Sequence, residues 1–321
     1  LMVNTTGEKK TALVGYTLDS CTTGSFNTAL GFQALTASTT ASNNTAVGQY
    51  SGALVTTGTG NTSVGQASLS STTTGYNNVA IGQYALRLND DGHSNTAVGY
   101  KALDGNTSAT GNTAVGKETL LSNTTGSSNT GLGTGAGYNI TTSSENTAIG
   151  SASLNQSTTG PQNTAIGRLC MYHNTTGAYN VALGRSAAEK GTTQVYTTAI
   201  GYQAALDNTT GNNNTSIGAF ALQNNETGDG NTALGIQAGD NITSGSNNTL
   251  IGAGVDASSA TVSNEITLGN SSIATLRCNV QTISSLSDAR DKTNVIDLPE
   301  GLDFVTKLRP VKFEWATRDG N

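Results

Sequence analysis

Hydrophobic and polar positions along this chain recur with a period of seventeen, and no helical period lies beneath it. The recurring unit is Asn-Thr-Ala-Val-Gly. Its glycine falls at Gly31, Gly48, Gly65, Gly82, Gly99 and Gly116 and continues without a slip to Gly269. Gly15 stands one place nearer to Gly31 than the period requires and reads as an irregular first unit. With this glycine as position zero, position −1 is always Leu, Val or Ile, as at Leu30, Val47, Val64, Ile81, Val98, Val115, Ile149 and Ile166. Position −2 is small, position −4 is Asn almost throughout, +3 is small, +4 is often Leu, and −7 is usually a second glycine.

A unit of seventeen is too short for a pair of helices, but it can circle once as a β-coil. Short stretches rich in Thr, Val and Ile predict strands. Glycine at zero and at −7 predicts two sharp turns per coil, since glycine alone takes φ > 0 freely. Stacked coils put each column in register with itself at about 4.8 Å. The expected fold is therefore all-β: a parallel β-solenoid, or β-roll, of about fifteen coils over residues 15–269, after a lead-in over 1–14. The −1 aliphatics are expected to fill the interior, and the Asn column to bond along the stack. The small −2 and +3 columns are expected to pack chain against chain in a homotrimer. An interwoven triple β-spiral also accommodates short glycine-containing repeats.

Composition narrows the picture. Charged residues are 11%, aromatics 5%, and glycine is 40 of 321. So little apolar surface suits disorder or a repeat fold, and an unbroken register excludes disorder. The net charge of −6 and the lack of a basic stripe argue against nucleic acid as a partner. No apolar run reaches the ~20 residues that span a bilayer, so membrane insertion is not expected. Cys21, Cys170 and Cys278 are widely spaced and odd in number, and read as small buried thiols. His93 and His173 lack partners at ligand spacing, so no metal and no cofactor are expected. Leu1 is not an initiator residue, so sequence before it is expected.

From residue 15 to 269, Asn-Thr-Ala-Val-Gly followed two residues later by Ala resembles the head repeats of trimeric autotransporter adhesins. That resemblance implies parallel β-rolls that trimerise side by side, although the coils of that family are usually shorter than these.

After Gly269 the period stops. Residues 270–286 alternate Ile, Leu and Val with polar residues and predict a strand-rich neck. Composition then shifts: residues 287–321 hold eleven charged residues up to Glu314, two of the three prolines and Trp315. An ordinary α+β domain is expected to begin here and to extend past Asn321. The runs Ser287-Asp288-Ala289-Arg290-Asp291-Lys292, Asn294-Val295 and Leu308-Arg309-Pro310-Val311-Lys312-Phe313-Glu314-Trp315 resemble the endosialidase-type intramolecular chaperone at the end of phage tail fibres and tailspikes. The resemblance implies a domain that trimerises the fibre and then cuts itself off before the serine. Asp288, Arg290, Pro310 and Trp315 carry its motif. The implied bond is Leu286–Ser287, with Ser287 as nucleophile and Lys292 as the base that takes its proton.

The expected function is then the shaft or attachment region of a viral tail fibre, active on no substrate in trans. Its expected partners are two further copies, other tail or baseplate proteins and a host-surface glycan or protein receptor. The expected location is the virion, with a bacterial surface adhesin as the alternative. A polysaccharide-degrading tailspike would need paired carboxylates at a fixed column, which the repeats lack. Aromatics just after the turn glycine (Tyr16, Phe32, Tyr50, Tyr84, Tyr100, Tyr202 and Phe220) could hold sugars, but read more simply as packing beside the turns.

Overall fold

A computed structural model describes residues 3–277. The chain divides into two units, Leu1–Ile273 and Ala274–Asn321. The first is a single parallel sheet of sixteen strands in sequence order, wound as a solenoid with no helix among the described residues. Strand β1 is Thr11–Leu13, β2 is Thr28–Leu30, and one equally short strand follows in every coil to β16, Ile266–Leu268. Each column meets itself: between β6 (Thr96–Val98) and β7 (Thr113–Val115), Thr96 faces Thr113, Ala97 faces Ala114 and Val98 faces Val115. A parallel β-solenoid was the expected class, and this is one.

The first coil begins earlier than the glycine pattern indicated. Leu13 pairs with Leu30, so Val14 holds position zero there, with φ 89°, and Gly15 lies one place on. The period is thus regular from the first rung. The lead-in is part of the stack, because Thr5 N–H already bonds Thr22 O one coil ahead, at 3.0 Å.

The interior is built differently from the expectation. Side chains alternate across a strand, and it is the −2 residue that points inward. Ala97 and Ala114 are fully buried, as are Ala29 and Ala46. The −1 residues Leu30, Val47, Val64, Ile81, Val98, Val115, Ile149 and Ile166 therefore point out of the coil. Leu30 and Ile81 are each 40% exposed and the other six are half-buried. The reason is steric. One thin coil must fit the sheet against its opposite wall, and Ala102 and Leu103 from +3 and +4 already fill that gap. The leucine ladder at +4 is the true core, with Leu35, Leu69, Leu86, Leu103, Leu120 and Leu154 at most 1% exposed. The small −2 and +3 columns are consumed inside each coil and are not free to meet another chain.

The turns also differ from the two-glycine expectation. At zero, Gly31, Gly48, Gly65, Gly82, Gly99 and Gly116 take φ between 129° and 140°. A Cβ on Gly99 would lie 2.5 Å from the next coil's Gly116 carbonyl oxygen. The −7 glycines are absent from the left-handed residues, and close approach explains them. A Cβ on Gly58 would stand 2.1 Å from Gly75 O. The remaining turning falls to ordinary residues at −5, +2 and +4, as at Ser94, Lys101 and Leu103 with φ 59°, 54° and 52°. Such conformations each cost about 1 kcal/mol or more. Continuous inter-coil bonding offsets them; for example Thr96 N–H bonds Asn112 O at 2.8 Å and Leu103 N–H bonds Thr119 O at 3.0 Å.

A buried asparagine spine runs beside the core. In most coils the −4 asparagine accepts the backbone N–H of the next −4 residue and donates to the −7 carbonyl of the next coil; at Asn146 the Ser143 hydroxyl takes over the bond to Gly160 O, and Thr197 interrupts the column. Asn112 Oδ1 takes Asn129 N–H at 2.8 Å while Asn112 Nδ2 gives to Gly126 O at 2.9 Å. A second polar column stands at +7, where Asn106 donates to Asn89 Oδ1 and Asn123 donates to Asn106 Oδ1. Beyond Leu268 the described residues 269–277 hold a turn at 271–272 and no strand, so the neck expected over 270–286 has no strand in its described part.

Candidate functional surfaces

Three outward surfaces remain once the interior is filled. The first is the face of the sheet, which carries the −3 and −1 columns. Position −3 is Thr in every strand except those beginning at Val79, Val181 and Ile266, and position −1 is always aliphatic.

The second surface holds the Thr-Thr pairs after the core turn. Their first hydroxyl is occupied along the stack: Thr124 Oγ1 donates to Thr141 O and Thr141 Oγ1 to Thr158 O, each at 3.1 Å. The second threonine, as at Thr125 and Thr142, faces solvent. Two aromatic pairs missed in the repeat pattern lie next to this surface. Tyr179 and Tyr196 stack at 5.1 Å, and Tyr76 and His93 at 4.5 Å. Each pair is separated by one full period, which is the signal that would have found them.

The third surface follows the turn glycine. Its aromatics pack edge to face along the stack, Tyr16 on Phe32, Phe32 on Tyr50 and Tyr202 on Phe220, at 5.2–5.8 Å between centroids. Cations cover several rings: Arg87 lies 5.4 Å from the Tyr84 centroid and Arg185 lies 5.6 Å from that of Tyr202. Arg87 also makes a bidentate pair with Asp104 at 2.7 and 3.0 Å. Ring edges and cations occupy one another here, which is the packing role expected of these aromatics.

Reactive chemistry is sparse among the described residues. Cys21 and Cys170 are buried and unpaired, and burial pushes the Cys170 thiol up to about 12, so it carries no thiolate at neutral pH. Burial first, and then Asp256, raise the Asp240 carboxyl above its ordinary value. No group of three His, Cys, Asp or Glu residues that could hold a metal occurs among the described residues. His173 Nδ1 instead meets Gln156 Oε1 at 3.1 Å. No described helix is long and apolar enough to cross a membrane. Leu286, Ser287, Asp288, Arg290, Lys292, Pro310 and Trp315 lie outside the described residues.

Residues 287–321 match the family model described as the chaperone of endosialidase. No curated protein matches the chain. That family comprises self-cleaving intramolecular chaperones, and a β-solenoid followed by a segment similar to it fits a protein of the tail-fibre type.

Proposed function

We propose that this chain is the shaft of a phage tail fibre, assembled as a homotrimer by its own C-terminal segment and displayed on the virion for host attachment. One observation carries the reading: a solenoid of near-identical rungs leads to a segment that matches a self-trimming chaperone. Rungs such as Thr45–Val47, Thr96–Val98 and Thr113–Val115 are the same three residues. Separate chains made of such rungs can align in several wrong registers at nearly equal energy. A helper that gathers the C-terminal ends supplies the alignment that the rungs lack, after which the helper is dispensable.

The trimming step needs a nucleophile and a base, the roles that the resemblance gives to Ser287 and Lys292. Lys292 takes the proton from Ser287 Oγ, which attacks the Leu286 carbonyl carbon. The acyl group passes from nitrogen to oxygen, the amine nitrogen gains a proton, and water then hydrolyses the ester. Baseplate or other tail proteins would hold one end of the fibre. A host-surface glycan or protein would be met by its outward columns.

The test is intact mass of the purified protein carrying its whole C-terminal domain. The wild type is expected to lose everything from Ser287 onward and to run as a trimer. Ser287→Ala and Lys292→Ala are expected to assemble and stay full length. A Ser287→Ala protein cut at the same bond removes the assigned nucleophile.

A further inference from the structure

Many coils pass the corner before the strand in one way. A short polar side chain at −6 accepts the backbone N–H of the −6 residue one coil back. Ser25 N–H bonds Ser42 Oγ at 3.0 Å, Thr110 N–H bonds Ser127 Oγ at 3.1 Å and Asp229 N–H bonds Ser246 Oγ at 3.0 Å. Position −5 then turns left-handed and is often Gly or Asn, as at Gly60, Asn77, Gly111 and Asn247, residues that tolerate such a turn. Three consecutive coils abandon these habits. Their −6 residues are Pro161, Ala178 and Val195, whose side chains accept nothing, and the last two carry Tyr179 and Tyr196 at −5 with φ 61° and 56°. An aromatic residue is strained there. The coil interior gains nothing in return, because the two tyrosines are 47% and 59% exposed. Folding alone does not account for the pair.

We infer that Tyr179 and Tyr196 are a platform for one neutral pyranose ring of a glycan, stacked on the outer face of Tyr196. The two rings are 16° from parallel with centroids 5.1 Å apart. Aromatic planes in contact lie about 3.5 Å apart, so the pair is slipped by roughly 3–4 Å and each ring shows part of its face. Beyond Tyr196 the −5 column falls to the exposed Asn213 and then to Gly230, so a flat guest can continue the stack. At the other end Gln162 already donates to Glu145 Oε2 at 2.7 Å. A pyranose has an apolar C–H face and a rim of hydroxyls that both donate and accept. The Asn213 carboxamide and the outward hydroxyls of Thr193 and Thr210 have the same capacity. A flat apolar side chain from a protein would leave those groups unpaired. Residues 158–162, 175–179, 192–196 and 209–213 contain no Lys, Arg, Asp or Glu, so an anionic sugar would find no counter-charge. This inference rests on the attachment reading for its role, and gives that reading a site and a ligand class.

The full chain, its double variant Tyr179→Asn with Tyr196→Asn, and Tyr50→Ala from the turn surface are compared on a printed array of neutral and sialylated oligosaccharides, with thermal unfolding followed by circular dichroism. The wild type and Tyr50→Ala are expected to bind neutral members of the array. The double variant is expected to bind them at least tenfold more weakly while its thermal midpoint stays level or rises, because Asn accepts the left-handed turn. Should the double variant fail to fold, Asn213→Tyr decides instead. A third ring then takes the place of the guest, and binding is expected to fall by the same factor. A folded double variant or an Asn213→Tyr protein that binds as the wild type does, or a wild type that binds sialylated members alone or none, overturns the platform and leaves attachment through a protein receptor. A labelled wild type that binds the neutral sugars but stains no species in a panel of bacteria overturns the attachment reading and leaves the platform.

Discussion

Asn95 Oδ1 accepts the backbone N–H of Asn112, one coil ahead, at 3.0 Å. Asn95 Nδ2 gives to Ala109 O at 2.8 Å, and the whole side chain is buried. One side chain thus serves a donor and an acceptor that water cannot reach. Repeated along the stack, this link joins each coil to the next independently of the strands.

Asn95→Ala removes both partners at once. The Asn112 N–H is stranded while Ala109 O keeps a 3.3 Å bond from Asn106 Nδ2, so a loss of about 1–3 kcal/mol is expected. Hydrogen exchange should show the Asn112 amide losing protection well before amides several coils away. Equal protection of Asn112 in the variant would mean that the spine is decorative.

Leu103→Ala should cost about 2–5 kcal/mol by opening a cavity in the leucine ladder, because Leu103 is fully buried. Val98→Ala, on the outer face of the sheet, should leave the thermal midpoint of the isolated coil stack nearly unchanged. Comparable destabilisation of monomeric protein by the two would restore the −1 column to the interior.

In three coils the core is swapped internally. Gly52 with Val55, Gly137 with Ile140 and Gly239 with Ile242 replace the pattern Leu-x-x-Asn seen at Leu103 and Asn106. A Cβ on Gly137 would sit 2.6 Å from Leu120 Cδ2 and 3.0 Å from Ile140 Cδ1, so the aliphatic at +7 fills the space of the missing leucine. The swap also interrupts the +7 column and leaves Asn123 Oδ1 buried without a partner. Gly137→Leu and Ile140→Asn should each destabilise, the first by overpacking and the second by a void. The double variant should recover most of the loss, with a coupling of about 1–3 kcal/mol in thermal unfolding. Strict additivity would show that the two positions do not share one space.

The last rung should respond to acid. Glu265 accepts bonds from Ser258 N–H at 2.9 Å and from Thr267 Oγ1 at 3.0 Å. Bonds from the Ser258 side chain and backbone, then from Thr267, hold its carboxyl below its usual value. A depressed folded value means that its contribution is present above the unfolded carboxylate range and is lost as pH falls through the folded value. The Ser258 amide should therefore lose protection as pH falls below the ordinary carboxylate range, and Glu265→Gln should abolish that pH dependence while leaving inner rungs unaffected.

The repeat, the strand positions and the spine were all readable from Asn-Thr-Ala-Val-Gly, because a fixed period aligns like with like whatever the coil's cross-section. Which side of the pleat faces inward was not. An unbroken aliphatic column such as Val98 and Val115 looks like a core, yet in a coil this thin the inward place goes to what fits, Ala97 and Ala114. Size, set by the opposite wall at Leu103, outweighed hydrophobicity. The −7 glycines misled similarly: Gly58 and Gly75 are small because a neighbouring carbonyl presses on them, while Leu103 takes a left-handed turn that composition gives no hint of. The roles proposed for Ser287 and Lys292 rest on a motif alone, within the segment matched by the chaperone family.

Because Val98 meets Val115 as Leu13 meets Leu30, the strand of every coil can pair in register with the strand of any other. The stretch of gene that encodes one coil can then be duplicated or deleted without breaking the strand register on either side. Length becomes a heritable quantity that changes in whole steps of about 4.8 Å, so the chain behaves as a ruler whose divisions recombination can add or remove one at a time.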